Sequence, residues 1–122
     1  MKDKLVFVVD DEAAIADAVA DYLKQNGLSV EIFSSPKRAL DAAASLSPDL
    51  LLSDFRLYEM DGLTLAAKLK ELHPHCKVLI MSGLAHEAMG AGKPEEVEFM
   101  QKPLRMSILL AKVKNALENN KQ

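Results

Sequence analysis

Short apolar runs alternate with stretches of helical periodicity along the whole chain, and this rhythm constrains the fold more than any other feature. Leu5-Val6-Phe7-Val8-Val9 is continuous and rich in β-branched residues, long enough for a strand and too short for a helix. Further strands are expected over 28–33, 50–52, 78–81 and Val97–Gln101. Between them, Ile15, Val19, Tyr22 and Leu23 repeat at helical spacing, with Asp11 placed to cap the helix and Gly27 to end it. Pro36 opens a second helix, apolar at Leu40, Ala43 and Ala44, and Pro48 lies beyond its end. Gly62 precedes a third, with Leu65, Ala66, Leu69 and Leu72 on one face and Pro74 after it. A last helix carries Leu109, Val113, Ala116 and Leu117. Several of the strand runs lack a polar face, so the sheet is parallel and covered on both sides. Right-handed crossovers make that a three-layer, doubly wound five-stranded α/β fold.

One segment breaks the rhythm. Within residues 85–96, Gly90 and Gly92 each cost a helix about 1 kcal/mol against Ala, and Pro94 about 3 kcal/mol. The fourth helix is therefore expected to be shortened or mobile. Nothing resembling a linker or a repeat divides the 122 residues, which suit a single domain over 1–122. Apolar residues make up 49% and charged residues 27%, enough to fill one core and wet its surface. With 15 basic against 18 acidic residues, no footprint for direct nucleic-acid binding is visible. The lone Cys76 excludes an internal disulfide, and no apolar run is long enough to span a membrane. The opening Met1-Lys2-Asp3-Lys4 passes too quickly into a strand to be a secretion signal, so a cytoplasmic location is expected.

In a parallel sheet every strand ends at the same edge, where open α/β folds bind ligands. The residues just after each apolar run are therefore informative. The first strand ends in Asp10-Asp11, the third in Ser53-Asp54, the fourth in Ser82 and the fifth in Lys102. Any one of these could be a cap or a turn former. Three carboxylates with an ammonium opposite are harder to dismiss. Like charges about 4 Å apart repel by about 4 kcal/mol per pair at an effective dielectric near 20. Relief can come from the lysine, from raised pKa values or from a hard divalent cation, and an open, oxygen-only site suits Mg²⁺ better than Ca²⁺.

This constellation resembles the receiver domain of bacterial response regulators. The likeness runs over the whole chain and rests on the acidic pair in Val9-Asp10-Asp11-Glu12, the Asp54 segment through Met60-Asp61-Gly62, the Ser82-Gly83 step and Lys102-Pro103. It implies a flavodoxin-like sheet of order 2-1-3-4-5. It also implies that Asp54 accepts a phosphoryl group from a histidine kinase or a histidine phosphotransfer protein. Asp10, Asp11, Asp54 and the backbone carbonyl of Arg56 would hold Mg²⁺, and Lys102 would pair with a phosphoryl oxygen next to a cis bond to Pro103. Ser82 and Phe99 would form the switch that alters a surface for an output partner of unknown identity. The likeness further places kinase docking at Ala14, Ile15 and Ala18 on the first helix, flanked by Pro103, Leu104 and Arg105.

Some residues depart from the family's pattern. Tyr58 stands where proline is common, Ser82 replaces threonine, and the stretch between Ser82 and Lys102 is short. His73 and His75 read as a solvated helix end, Cys76 as a small core residue, and the methionines near the rim as core filling. Two other functions compete with a phosphoacceptor. One is a degenerate receiver that docks without phosphorylation. The other is a small phosphohydrolase with an aspartate nucleophile, which would need a second acid where Arg56 stands. A flavin carrier on the same topology lacks a phosphate-binding loop after the first strand.

Overall fold

The computed structural model describes residues 4–83 and 97–118. The strands are β1 (Leu5–Val9), β2 (Ser29–Phe33), β3 (Leu50–Asp54), β4 (Lys77–Ser82) and β5 (Val97–Gln101). The helices among the described residues are α1 (Ala13–Gln25), α2 (Pro36–Ala42), α3 (Gly62–Leu72) and α4 (Met106–Glu118). All strand pairs are parallel and the order is β2-β1-β3-β4-β5, the doubly wound sheet that the residue pattern and the resemblance implied. The expectation of a shortened or mobile fourth helix over 85–96 lies outside the described residues.

Side chains of successive strand residues point to opposite faces, and the sheet separates two cores accordingly. Val6, Val8, Leu50, Leu52, Leu79, Met81 and Met100 pack on one face against Ala16, Val19 and Leu23 of α1 and Leu109, Val113 and Leu117 of α4. Phe7, Val9, Leu51, Val78, Ile80 and Val97 pack on the other face against Ala39 of α2 and Leu65, Ala66 and Leu69 of α3. Each large apolar side chain so enclosed contributes about 1.5–3 kcal/mol relative to exposure. β3 is buried throughout, as the central strand of a covered sheet must be. β2 lies at an edge, and Ile32 there is partly open.

The ends of the elements follow local chemistry that periodicity alone does not report. Ser35 caps α2 by accepting from the Arg38 amide, with Pro36 at the first helical position. Asp61 caps α3 by accepting from the Thr64 amide at 2.8 Å. Gly27 takes φ 91° after α1, a conformation that costs a side-chain-bearing residue more than glycine. Asp11 does not cap α1. Glu12 stands at that position without a side-chain bond, and its own amide donates to Asp10 Oδ1 at 2.9 Å. Leu72 is not on the buried face of α3, since the helix ends there and half of its surface is open (53%). His73 does more than end that helix, because its Nε2 meets the Ala43 carbonyl at 2.9 Å and ties α3 to the end of α2. Cys76 is a core residue as expected, and burial pushes its thiol up to about 12.

Candidate functional site

β1 and β3 are neighbours, yet the chain leaves them in opposite directions, toward β2 on one side and β4 on the other. This reversal opens a crevice outside their carboxyl ends. The register decides which side chains enter it. Val9 of β1 pairs with Ser53 of β3, so Asp10 and Asp54, each one step further on, share the face toward α1 and α4. Met81 is the Cα partner of Asp54 and Met100 the partner of Met81, so Lys102, two residues beyond Met100, keeps the same parity. Period-two alternation thus converges Asp10, Asp54 and Lys102 from three strands.

Carboxylate oxygens of Asp10, Asp11 and Asp54 all lie within 4.8 Å of one another. Lys102 Nζ sits 3.1 Å from Asp54 Oδ1, with both side chains mostly enclosed. The amide of Lys102 donates to the Ser82 carbonyl at 2.8 Å, fixing the end of β5 to the end of β4, and the Lys102–Pro103 bond is cis. Asp10 is 1% exposed. Its burial raises the carboxyl above its ordinary value, the Glu12 amide opposes this, Asp54 adds to it, Lys102 opposes it, and Asp11 adds a little. Asp10 Oδ2 is the one fully buried side-chain polar atom among the described residues without a hydrogen-bond partner. A buried acceptor left unmatched is costly. An orphaned carboxylate oxygen inside an all-oxygen acidic cluster is what a small hard cation satisfies, so these residues fit such a metal.

Ser82 and Phe99 have the other parity. Ile80 pairs with Phe99 and Ser82 with Gln101, so Ser82 and Phe99 both lie on the face toward α2 and α3. Ser82 is buried and Phe99 half-buried. Arg56 lies two residues after the end of β3 and is exposed, while Tyr58 stands 86% open in the same loop. Two neighbours of Asp54 went unnoticed in the sequence. Ser53 Oγ donates to the Asp54 carbonyl at 2.8 Å in a fully enclosed position, and Gly62 comes up against that same carbonyl. Neither contact is visible in residue types, because one is a local bond within β3 and the other a close approach made by the β3–α3 turn.

Beside the acidic crevice is a groove of about 340 Å³ lined by Ala14, Ile15, Ala18, Val19, Lys102, Pro103, Leu104 and Met106. It matches the expected docking surface apart from Arg105, which does not line it. Lys112 pairs with Glu98 at 3.7 Å and so contributes to no free basic patch.

A family model for the response regulator receiver domain matches residues 6–114. Among curated proteins, the DNA-binding transcriptional regulator NtrC of Escherichia coli K12 is 34% identical over 123 residues, covering 98% of this chain and 26% of NtrC. The transcriptional regulatory protein FixJ of Bradyrhizobium diazoefficiens is 33% identical over 117 residues, covering 92% of this chain and 56% of FixJ. The chain therefore spans about a quarter of one relative and just over half of the other. A CheY-like response regulator receiver domain protein from Methanospirillum hungatei superposes with a TM-score of 0.85 at 27% identity, over 98% of this chain and 97% of that one. A response regulator receiver protein from Sinorhizobium medicae gives a TM-score of 0.89 at 23% identity, over 98% of both chains, a likeness of fold.

Proposed function

The chain belongs to the response regulator receiver family, and from that premise we propose that it is a single phosphoacceptor domain in which Asp54 is the residue phosphorylated. The observation that carries the reading is the 3.1 Å approach of Lys102 Nζ to Asp54 Oδ1 beside two further carboxylates at the topological switch point. An Asp54 carboxylate oxygen attacks phosphorus of a phosphohistidine on a histidine kinase or phosphotransfer protein. The P–N bond breaks, its electron pair stays on the imidazole nitrogen, and the product is an aspartyl phosphate. Lys102 holds Asp54 beforehand and transfers its hydrogen bond to a phosphoryl oxygen afterwards. Asp10, Asp11, Asp54 and the Arg56 carbonyl would hold Mg²⁺, with Asp10 Oδ2 gaining the partner it lacks. Bound there, Mg²⁺ offsets the negative charge that the cluster and the incoming phosphoryl group share.

Ser82 and Phe99 are the switch in this reading. The hydroxyl turns to the phosphoryl group and the ring follows on the same face of the sheet, changing the surface presented to an output partner. The kinase or phosphotransfer protein docks in the apolar groove between Ile15 and Leu104, within reach of Lys102. A cytoplasmic location belongs to the same reading, and no helix among the described residues is long and apolar enough to cross a membrane.

Incubation with acetyl phosphate or phosphoramidate and Mg²⁺ tests the proposal. One phosphoryl group should appear in the intact mass and be released by hydroxylamine. Asp54→Asn should take none, and Lys102→Ala should label slowly. A wild-type chain that gains no adduct from either donor is a docking module instead.

A further inference from the structure

We propose that Ser53 and Gly62 are positioning residues for Asp54, both closing on its peptide carbonyl so that the carboxylate is aimed before any phosphoryl group arrives. The inference rests on the reading of Asp54 as phosphoacceptor and adds residues to it. Ser53 is completely enclosed, and its hydroxyl donates to the Asp54 carbonyl at 2.8 Å. The register sets Ser53 between Val9 and Ile80, on the face away from the carboxylates. A hydroxyl in that apolar layer is expensive unless it is bonded, and its bond here goes to the peptide that carries the reacting side chain.

Gly62 closes on the same carbonyl oxygen. A Cβ built on it would stand 2.5 Å from the Asp54 carbonyl oxygen and 3.2 Å from the Ile80 Cδ1. The nearest obstacle is backbone, which cannot swing aside as a side-chain tip can. The same turn is pinned twice more, by the Gly62 amide on the Phe55 carbonyl and by the Phe55 amide on the Met81 carbonyl, both at 2.7 Å. The start of α3 is thus pressed onto the end of β3 at the one residue that lacks a side chain. Rotation of the Asp54 peptide, which would swing the carboxylate away from Lys102, is opposed by the Ser53 bond and by the α3 backbone together.

The test compares the 122-residue wild-type chain with Ser53→Ala, Gly62→Ala and a destabilised control, Leu69→Ala, in the α3 core. Two measurements are made on each, the saturation curve for phosphoramidate with Mg²⁺ and backbone ¹⁵N relaxation dispersion at Asp54 and Phe55 without any donor. Ser53→Ala should lower the saturating rate about fivefold, equivalent to about 1 kcal/mol, with donor half-saturation unchanged. Its Asp54 and Phe55 amides should acquire microsecond-to-millisecond exchange that the wild type lacks. Gly62→Ala should show the same signs more strongly or fail to fold, and Ser53→Ala decides the matter in either case. Leu69→Ala should melt earlier while keeping the wild-type rate and quiet Asp54 and Phe55 amides. Wild-type rates in Ser53→Ala, or a loss that merely follows melting temperature as in the control, would overturn the proposal. If the wild type takes no phosphoryl group, the proposed function fails separately. The dispersion data then still decide whether these residues hold Asp54.

Discussion

Replacing Asp10 with asparagine should stabilise the metal-free protein. Asp10 Oδ1 accepts the Glu12 amide at 2.9 Å, a bond the asparagine oxygen can keep. Oδ2 is buried and unpartnered, and a carboxylate oxygen of Asp10 lies within 4.8 Å of carboxylate oxygens on Asp11 and Asp54. At that distance and an effective dielectric near 20, two full charges repel by about 3.5 kcal/mol. The gain is smaller than this, because Lys102 attracts Asp10 and water screens the exposed Asp11. A net gain of about 1–2 kcal/mol corresponds to a rise of roughly 4–10 °C in melting temperature for a domain of this size.

The pH dependence gives the prediction its sign. Burial raises the folded-state carboxyl of Asp10 above 3.8, so the folded protein binds that proton more readily than the unfolded chain does. The folded form is therefore favoured below the ordinary value, and that advantage is lost as pH rises through the raised one. Melting curves of wild type and Asp10→Asn in EDTA should converge in acid and separate toward neutrality, the variant being the more stable. Calorimetry across pH 4–8 checks this. A variant that melts at or below the wild-type temperature at pH 7 would show that the cluster is not under charge strain, and would remove the ground for a cation there.

Mg²⁺ should raise the wild-type melting temperature, adding about 2.7 kcal/mol at a hundred times its dissociation constant, and Asp10→Asn with Asp11→Asn should abolish the shift in calorimetry. Ser35→Ala removes the acceptor of the Arg38 amide at the start of α2 and should cost about 0.5–2 kcal/mol in denaturant titration while leaving phosphoramidate labelling unchanged. Ile15→Asp and Leu104→Glu, which place charge in the apolar groove, should slow phosphotransfer from a cognate kinase at least tenfold, a loss of about 1.4 kcal/mol in binding, but not labelling by acetyl phosphate.

The layers and the rim were legible because they depend on periods that residue types carry. Uninterrupted runs such as Leu5-Val6-Phe7-Val8-Val9 can only be strands covered on both faces, and the polar residue after each run has to fall at the common edge. What escaped was set by individual backbone positions and hydrogen bonds. Asp11 looked like the cap of α1, but the helix begins one residue later with Glu12 at the cap, and Asp11 is exposed at the rim. β3 and β4 run on through Asp54 and Ser82, past where their apolar runs stop, because burial at the centre of a sheet extends pairing to polar residues. Asp49 was likewise silent in the sequence, yet its Oδ2 accepts the Leu5 amide at 2.8 Å and secures the start of β1.

Parity across the sheet also sets the proposed phosphoacceptor and the proposed switch residues on opposite faces. Asp10, Asp54 and Lys102 share one face by register, whereas Ser82 and Phe99 share the other. A charge change at Asp54 acts on the α1 and α4 side, where Lys102 and the apolar groove lie. Ser82 is one residue beyond Met81, the Cα partner of Asp54, so its hydroxyl is close in chain but turned to the opposite face. Any bond it makes to a group on Asp54 must be formed around the end of the strand. Phe99 lies beside Ile80 on that opposite face, two residues back along the sheet, and is only half-buried. Asp10, Asp54 and Ser82 are the buried polar residues at this rim, and Ser53 is the one buried polar residue beneath it among the described residues.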